Sequence, residues 1–222
     1  MSTYTENIPL KDYSKGEELA NSISHGIGAV FTIVAMILML TKGEMDGTKI
    51  AAILIMNLSM LLVYTTSTVY HALPHGNAKR ILRVLDHSFI FLAVIGSLFP
   101  FVLISLQTPT AYWILAATSL TGVLGIIFTV IGFKKYLALS LAMNFIAGAT
   151  AMVIFFLLRG LASQGITLLV LSGASYAVGA ILYLIGRKKK YIHSVFHVFI
   201  LIGNVFMLIC IYLYVLPVGS IY

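Results

Sequence analysis

His193 and His197 stand four residues apart in the stretch YIHSVFH, which opens the last apolar run of the chain, a run that ends at Pro217. On an α-helix this spacing puts both imidazoles on one face, one turn apart, where they can hold a metal ion together. Ionisable groups inside lipid are costly and usually functional, so the pair calls for partners at its own depth. His71 closes an earlier apolar run, Asp86 is the one acidic residue at or within such a run, and His25 lies in the first turn of the first. Three imidazoles, from His71, His193 and His197, suit zinc (Zn2+), and three protein ligands leave the fourth tetrahedral position to water, as in catalytic zinc sites. Zinc would make that water acidic, and Asp86 is the candidate base, acting directly or from just outside the ligands. Ser67, one turn before His71 on the same face, could bond the carboxylate or the water, or equally the carbonyl of Val63. His25 takes a supporting role, since three ligands suffice. His87 points roughly 100° away from Asp86, and His75 lies in a polar loop, so both read as bystanders.

The elements that must position these groups are membrane helices. The chain is 60% hydrophobic and 9% charged, where soluble domains average roughly 45–50% and about 25%. Its 14 Lys and Arg against 7 Asp and Glu do not signal nucleic-acid binding, because the cations sit in short loops between apolar runs, where they orient a membrane protein. The single cysteine, Cys210, lies inside the last run and excludes an intrachain disulfide or a cysteine-based metal cage.

The pattern predicts an all-α integral membrane protein with seven transmembrane helices. The spans fall near residues 22–40, 50–71, 88–106, 111–133, 136–158, 166–186 and 191–217. No charged residue occurs from Ser88 to Phe133, a stretch too long for one crossing, and the QTPT sequence at 107–110 supplies the reversal. Pro100 is expected to bend its helix by freeing the carbonyl of Gly96. Gly122 with Gly125, Gly148, and Ser175 with Gly179 read as small residues that let helices approach closely, and Asn204 as an inward-facing group that bonds a neighbouring helix.

Basic residues set the orientation. Lys11 and Lys15 in the tail, Lys79, Arg80 and Arg83 after span two, Lys134 and Lys135 after span four, and RKKK at 187–190 after span six share one side; only Lys42, Lys49 and Arg159 face the other. The expectation is a cytoplasmic tail of residues 1–20, a transmembrane domain of 21–217 and an external tail of 218–222, with the basic side against anionic head groups. The polar opening segment is neither a signal peptide nor a transit sequence. His25, His71, Asp86, His193 and His197 then all lie within about two turns of the cytoplasmic boundary.

Four motifs in order support a family reading. EELANSISHGIG from Glu17, with an E-x-x-N-x-x-S-H core at Glu18, Asn21, Ser24 and His25, resembles the opening motif of the hemolysin III family, bacterial members of the progestin and adipoQ receptor group. S-x-x-x-H at Ser67 and His71, L-D-H from Leu85 to His87, and H-x-x-x-H at His193 and His197 complete the set over nearly the whole chain. The resemblance implies a seven-helix protein of the plasma membrane with a zinc on the cytoplasmic side held by His71, His193 and His197, Asp86 bearing on the bound water, and Glu18 and Asn21 in support. It also places the chain near the alkaline ceramidase superfamily, which implies hydrolysis of a lipid amide. The short tail resembles the bacterial branch and not the hormone receptors.

The leading functional expectation is a zinc-dependent intramembrane hydrolase that cleaves a lipid amide or ester, with membrane lipids as partners and no oligomeric state assigned. The alternatives are a non-catalytic zinc protein that senses or adjusts bilayer composition and fluidity, and a cytolysin, for which the permanently apolar spans offer little mechanism. A guanine-nucleotide-coupled receptor is set aside because the amino terminus is expected inside, and a retinal pigment because span seven has no lysine for a Schiff base.

Overall fold

The structure is a computed structural model that describes residues 6, 8–185 and 189–221. Gly186, at the expected end of span six, and Arg187 and Lys188 of the RKKK run lie outside the described residues, as do 1–5, 7 and 222. Seven helices are long and apolar enough to cross a membrane, as expected. They are α1 (Lys15–Leu40), α2 (Gly47–Ala72), α3 (Asn77–Pro100), α4 (Pro109–Ile131), α5 (Phe133–Leu157), α6 (Ser163–Ile185) and α7 (Ile192–Cys210). Wider π-type turns prolong α3 over Phe101–Leu106 and α7 over Ile211–Val215. Large apolar side chains face outward along the bundle, including Val30, Leu120, Trp113 and Phe156. In water such a surface would drive aggregation, so it belongs against lipid.

Two helices begin earlier than the apolar runs indicate. α1 starts at Lys15 because Ser14 caps it: the Ser14 hydroxyl accepts from the Glu17 amide, and the Glu17 carboxylate accepts from the Ser14 amide at 2.9 Å. That reciprocal pair is a capping box, so part of the expected polar tail is helix. α3 starts at Asn77, directly after Gly76, so Lys79, Arg80 and Arg83 lie on a helix and not in a loop. The QTPT reversal forms as expected. Gln107 takes φ 46°, Thr108 caps α4 through the Ala111 amide, and Pro109 fills the first helical position.

Packing follows the small residues, with two revisions. A Cβ on Gly125 would fall within the ring of Phe91, and one on Gly122 would press on Ile95, so α3 and α4 approach closely there. Gly179 lies against Phe199 and Ile200 of α7. Gly148, however, has nothing within 4 Å of its would-be Cβ, and it packs no neighbour. Gly96, expected only to ease a bend at Pro100, has a packing role: Ser59 and the Ile55 carbonyl of α2 occupy the space its side chain would need. α1 packs on α2 and α7, α2 on α3, and α6 on α7, while α2 and α7 meet through side chains such as Tyr64 and Asn204. Asn204 of α7 makes the expected interhelical bonds there, donating to the Tyr64 hydroxyl of α2 and accepting from the Tyr176 hydroxyl of α6.

Candidate metal centre

At the end of the bundle where α1, α3 and α7 start and α2 finishes, His71, His193 and His197 come together. One ring nitrogen from each lies within 4.8 Å of the others, and His71 and His197 are buried. His71 sits in the last turn of α2, held there because Leu73 and Pro74 end the helix. The two α7 histidines follow Tyr191, whose φ of 60° turns the chain into the helix. Three ring nitrogens from two helices thus lie close enough together that they could hold one metal ion.

The first turns of α1 hold both partners. Glu17 accepts the Tyr191 amide at 3.0 Å, tying the start of α1 to the start of α7. Asn21 accepts from the Ser194 hydroxyl at 2.5 Å and touches His71 Nδ1 at 3.4 Å. The Ser24 hydroxyl lies 3.3 Å from His197 Nδ1 and also donates to the Asn21 carbonyl. Glu18 accepts from His71 Nδ1 at 2.6 Å. A carboxylate can only accept, so Nδ1 carries a proton, and in the neutral ring Nε2 is then the nitrogen with the lone pair. That Nε2 is buried with no hydrogen-bond partner. A buried acceptor without a donor is unfavourable, and a cation held jointly with His193 and His197 would satisfy it. The donor set therefore fits a metal ion.

Asp86 lies outside the group of mutually close ligand atoms. Its carboxylate is partly buried near His71, Arg83 and Ser67. Ser67 faces it without reaching hydrogen-bond geometry, and the buried hydroxyl bonds neither Asp86 nor the Val63 carbonyl. His25 is not among the ligands either. Its ring stacks on His197 at 3.6 Å between centroids, its edge meets Tyr64, and both its nitrogens are buried without a partner. His87 meets the Phe133 ring edge-on, and His75 is exposed 3.8 Å from Asp12.

Two participants escape a reading of the sequence. Tyr13, in the tail, stacks on His193 with 5.3 Å between centroids and tilts against His71 at 5.6 Å. Burial, reinforced by Tyr70, Tyr183 and Glu18, pushes its phenol well above the usual tyrosine range, so it stays protonated. Residue Ile8 of the same segment is buried against Val84 and Phe133, so residues 8–14 form a strap across the histidine end. Lys79, expected as a loop cation, is 1% exposed and donates to Glu18 Oε1 at 2.6 Å. No spacing rule marks Tyr13. For Lys79 the only available signal was Glu18, an acid in the first turn of an apolar helix that needs a cation.

The family described as haemolysin-III related matches residues 13–208 of the chain. The chain belongs to this family. It is similar to Hemolysin-3 of Bacillus cereus, with 35% identity over 207 residues, covering 92% of this chain and 94% of the relative. It is also similar to a Hemolysin-3 homolog of Bacillus subtilis (strain 168), with 32% identity over 205 residues, covering 91% and 96%. This haemolysin-III-related chain is thus a multi-pass membrane protein in contact with lipid, carrying a histidine cluster that could hold a metal ion.

Proposed function

We propose that this protein is a zinc-dependent hydrolase of the plasma membrane that cleaves an amide or ester bond of a lipid at the cytoplasmic face. The observation that carries the reading is the unpartnered Nε2 of His71 beside two further imidazoles, with a carboxylate just outside them. His71, His193 and His197 would hold the zinc, which when bound supplies Lewis-acid activation of water and of a carbonyl group. Glu18 orients the His71 ring, while Ser24 at Nδ1 and the Asn21 carbonyl hold the His197 ring. Asp86 accepts a proton from water as general base and returns it to the leaving group. Ser67, whose buried hydroxyl faces Asp86 and has no partner, would orient that carboxylate. Tyr13 and the strap shield the centre from bulk water, which favours a substrate arriving through the bilayer. The excess of cations at this end supports the cytoplasmic orientation.

The test is elemental analysis of the purified protein followed by incubation with amide- and ester-linked lipids. About one zinc per chain, lost in His71→Ala, and cleavage lost in Asp86→Asn with zinc retained, are the expected results. Full zinc occupancy with no cleavage across both lipid classes would reject the hydrolase. That outcome favours a non-catalytic zinc protein that senses or adjusts bilayer composition, a reading supported by the position of Asp86 outside the ligand group. A cytolytic role is suggested by the name of the Bacillus cereus relative, and release of dye from liposomes by purified protein, with no lipid cleaved, would favour it.

A further inference from the structure

A lysine side chain buried to 1% exposure calls for an explanation, because Lys is almost never fully buried unless paired. The ammonium of Lys79 is paired. It donates to Glu18 Oε1 at 2.6 Å and to the Leu73 carbonyl at 2.9 Å, and it lies 5.1 Å from the centre of the Tyr70 ring. Leu73 is the residue that ends α2, where helix carbonyls lack partners within the helix. Lys79 thus joins α3 to α1 and to the end of α2, two residues beyond His71.

The two oxygens of Glu18 have separate duties. Oε1 takes the Lys79 ammonium, and Oε2 takes the Nδ1 proton of His71 at 2.6 Å. An unrestrained glutamate has three side-chain torsions and could swing away from the imidazole or turn either oxygen to it. The short bond from Lys79 fixes one oxygen, and with it the direction of the other. We propose that Lys79 is a positioning residue for the metal centre: through Glu18 it holds His71 in the Nδ1–H tautomer, so that the Nε2 lone pair faces the ion. This rests on the zinc reading above. Carboxylate partners of metal-bound histidines act in this way, and their loss typically weakens metal affinity by about 10–100-fold.

A merely structural clamp between α1, α2 and α3 would make a different set of predictions. The experiment uses the full chain in nanodiscs with 15N-labelled histidine. Zinc affinity is measured by chelator competition, and the ring nitrogen shifts of His71, assigned with His71→Ala, are read before zinc is added. Lys79→Met is expected to lower zinc affinity by about 10–100-fold and to remove the pure Nδ1–H signature of His71, while Lys79→Arg retains both. Because Lys79 acts through Glu18, the double variant Lys79→Met with Glu18→Gln should bind zinc no more weakly than Glu18→Gln alone.

Wild-type affinity and an unchanged His71 signature in Lys79→Met, with only the melting temperature lowered, would overturn the proposal, as would additive losses in the double variant. If Lys79→Met does not fold, Lys79→Arg and Glu18→Gln still decide: a mixed tautomer in Glu18→Gln with a pure one in Lys79→Arg supports it, and the reverse sinks it. Should the wild-type protein take up no zinc, the hydrolase reading fails. The tautomer of His71 in the metal-free protein then still tests the role of Lys79.

Discussion

Removing the Asn204 amide should destabilise the bundle without touching the histidine cluster. Asn204 links Tyr64 and Tyr176 from two other helices, so Asn204→Ala leaves two inward-facing hydroxyls without their partner. The expected loss is roughly 1–3 kcal/mol, the range for orphaning buried polar groups. It would be read as a lower melting temperature in detergent, with zinc content unchanged. The residues around the histidine cluster divide by how much they could announce themselves. His71, His193 and His197 were legible because an imidazole in an apolar run is conspicuous, and Asn204 for the same reason. Lys79 was not, because a lysine beside a turn looks like any cation that orients a membrane protein, and only coordinates reveal that it is buried against Glu18. Tyr13 was not, because contacts made by an irregular segment follow no period.

At the scale of helices, spacing in one chain segment says little about what lies opposite it. Gly122, Gly125 and Gly148 look alike in sequence, yet Phe91 and Ile95 fill the space beside the first two, and nothing approaches the third. Gly125→Leu is therefore expected to force α3 and α4 apart and to cost about 1–3 kcal/mol by overpacking. Gly148→Ala should change stability by no more than about 0.5 kcal/mol. Thermal unfolding of the two variants side by side checks the contrast. The helix starts were in part readable: the Ser14 and Glu17 pair has the capping-box spacing, and Gly76 precedes α3. An estimate based on apolar length alone passes over both, because it finds where lipid must begin and not where hydrogen bonding does. Conversely, the reversal at Gln107 to Pro109 was legible, since proline and a left-handed residue have few other uses between two apolar runs.

For the whole molecule, the number of crossings followed from composition, but their grouping did not. α1 joins the two helices that carry the three histidines: Glu18 and Asn21 meet His71 of α2, while Glu17, Asn21 and Ser24 meet Tyr191, Ser194 and His197 at the start of α7. A metal that bridges α2 and α7 should stabilise the folded bundle, as does any ligand that binds the native state alone. Stripping zinc with a chelator is expected to lower the melting temperature of the wild type and to leave His71→Ala unchanged, as followed by helical circular dichroism during heating. The proposed cytoplasmic placement of the histidine end is checked by single cysteines introduced at Asp12 and at Glu44 after Cys210→Ala. In intact cells an impermeant thiol reagent should label the second and spare the first.

Residues 8–14 are laid across the histidine end, with Ile8 wedged beside Val84 and Phe133, whereas the opposite terminus is tethered far away, where the Ile221 amide meets the Ser105 carbonyl. A purification handle fused ahead of this strap would therefore sit at the histidine end, and one fused at the back would not. Preparations that differ only in where the tag was attached should then differ in how fast they take up zinc, the front-tagged protein being the altered one.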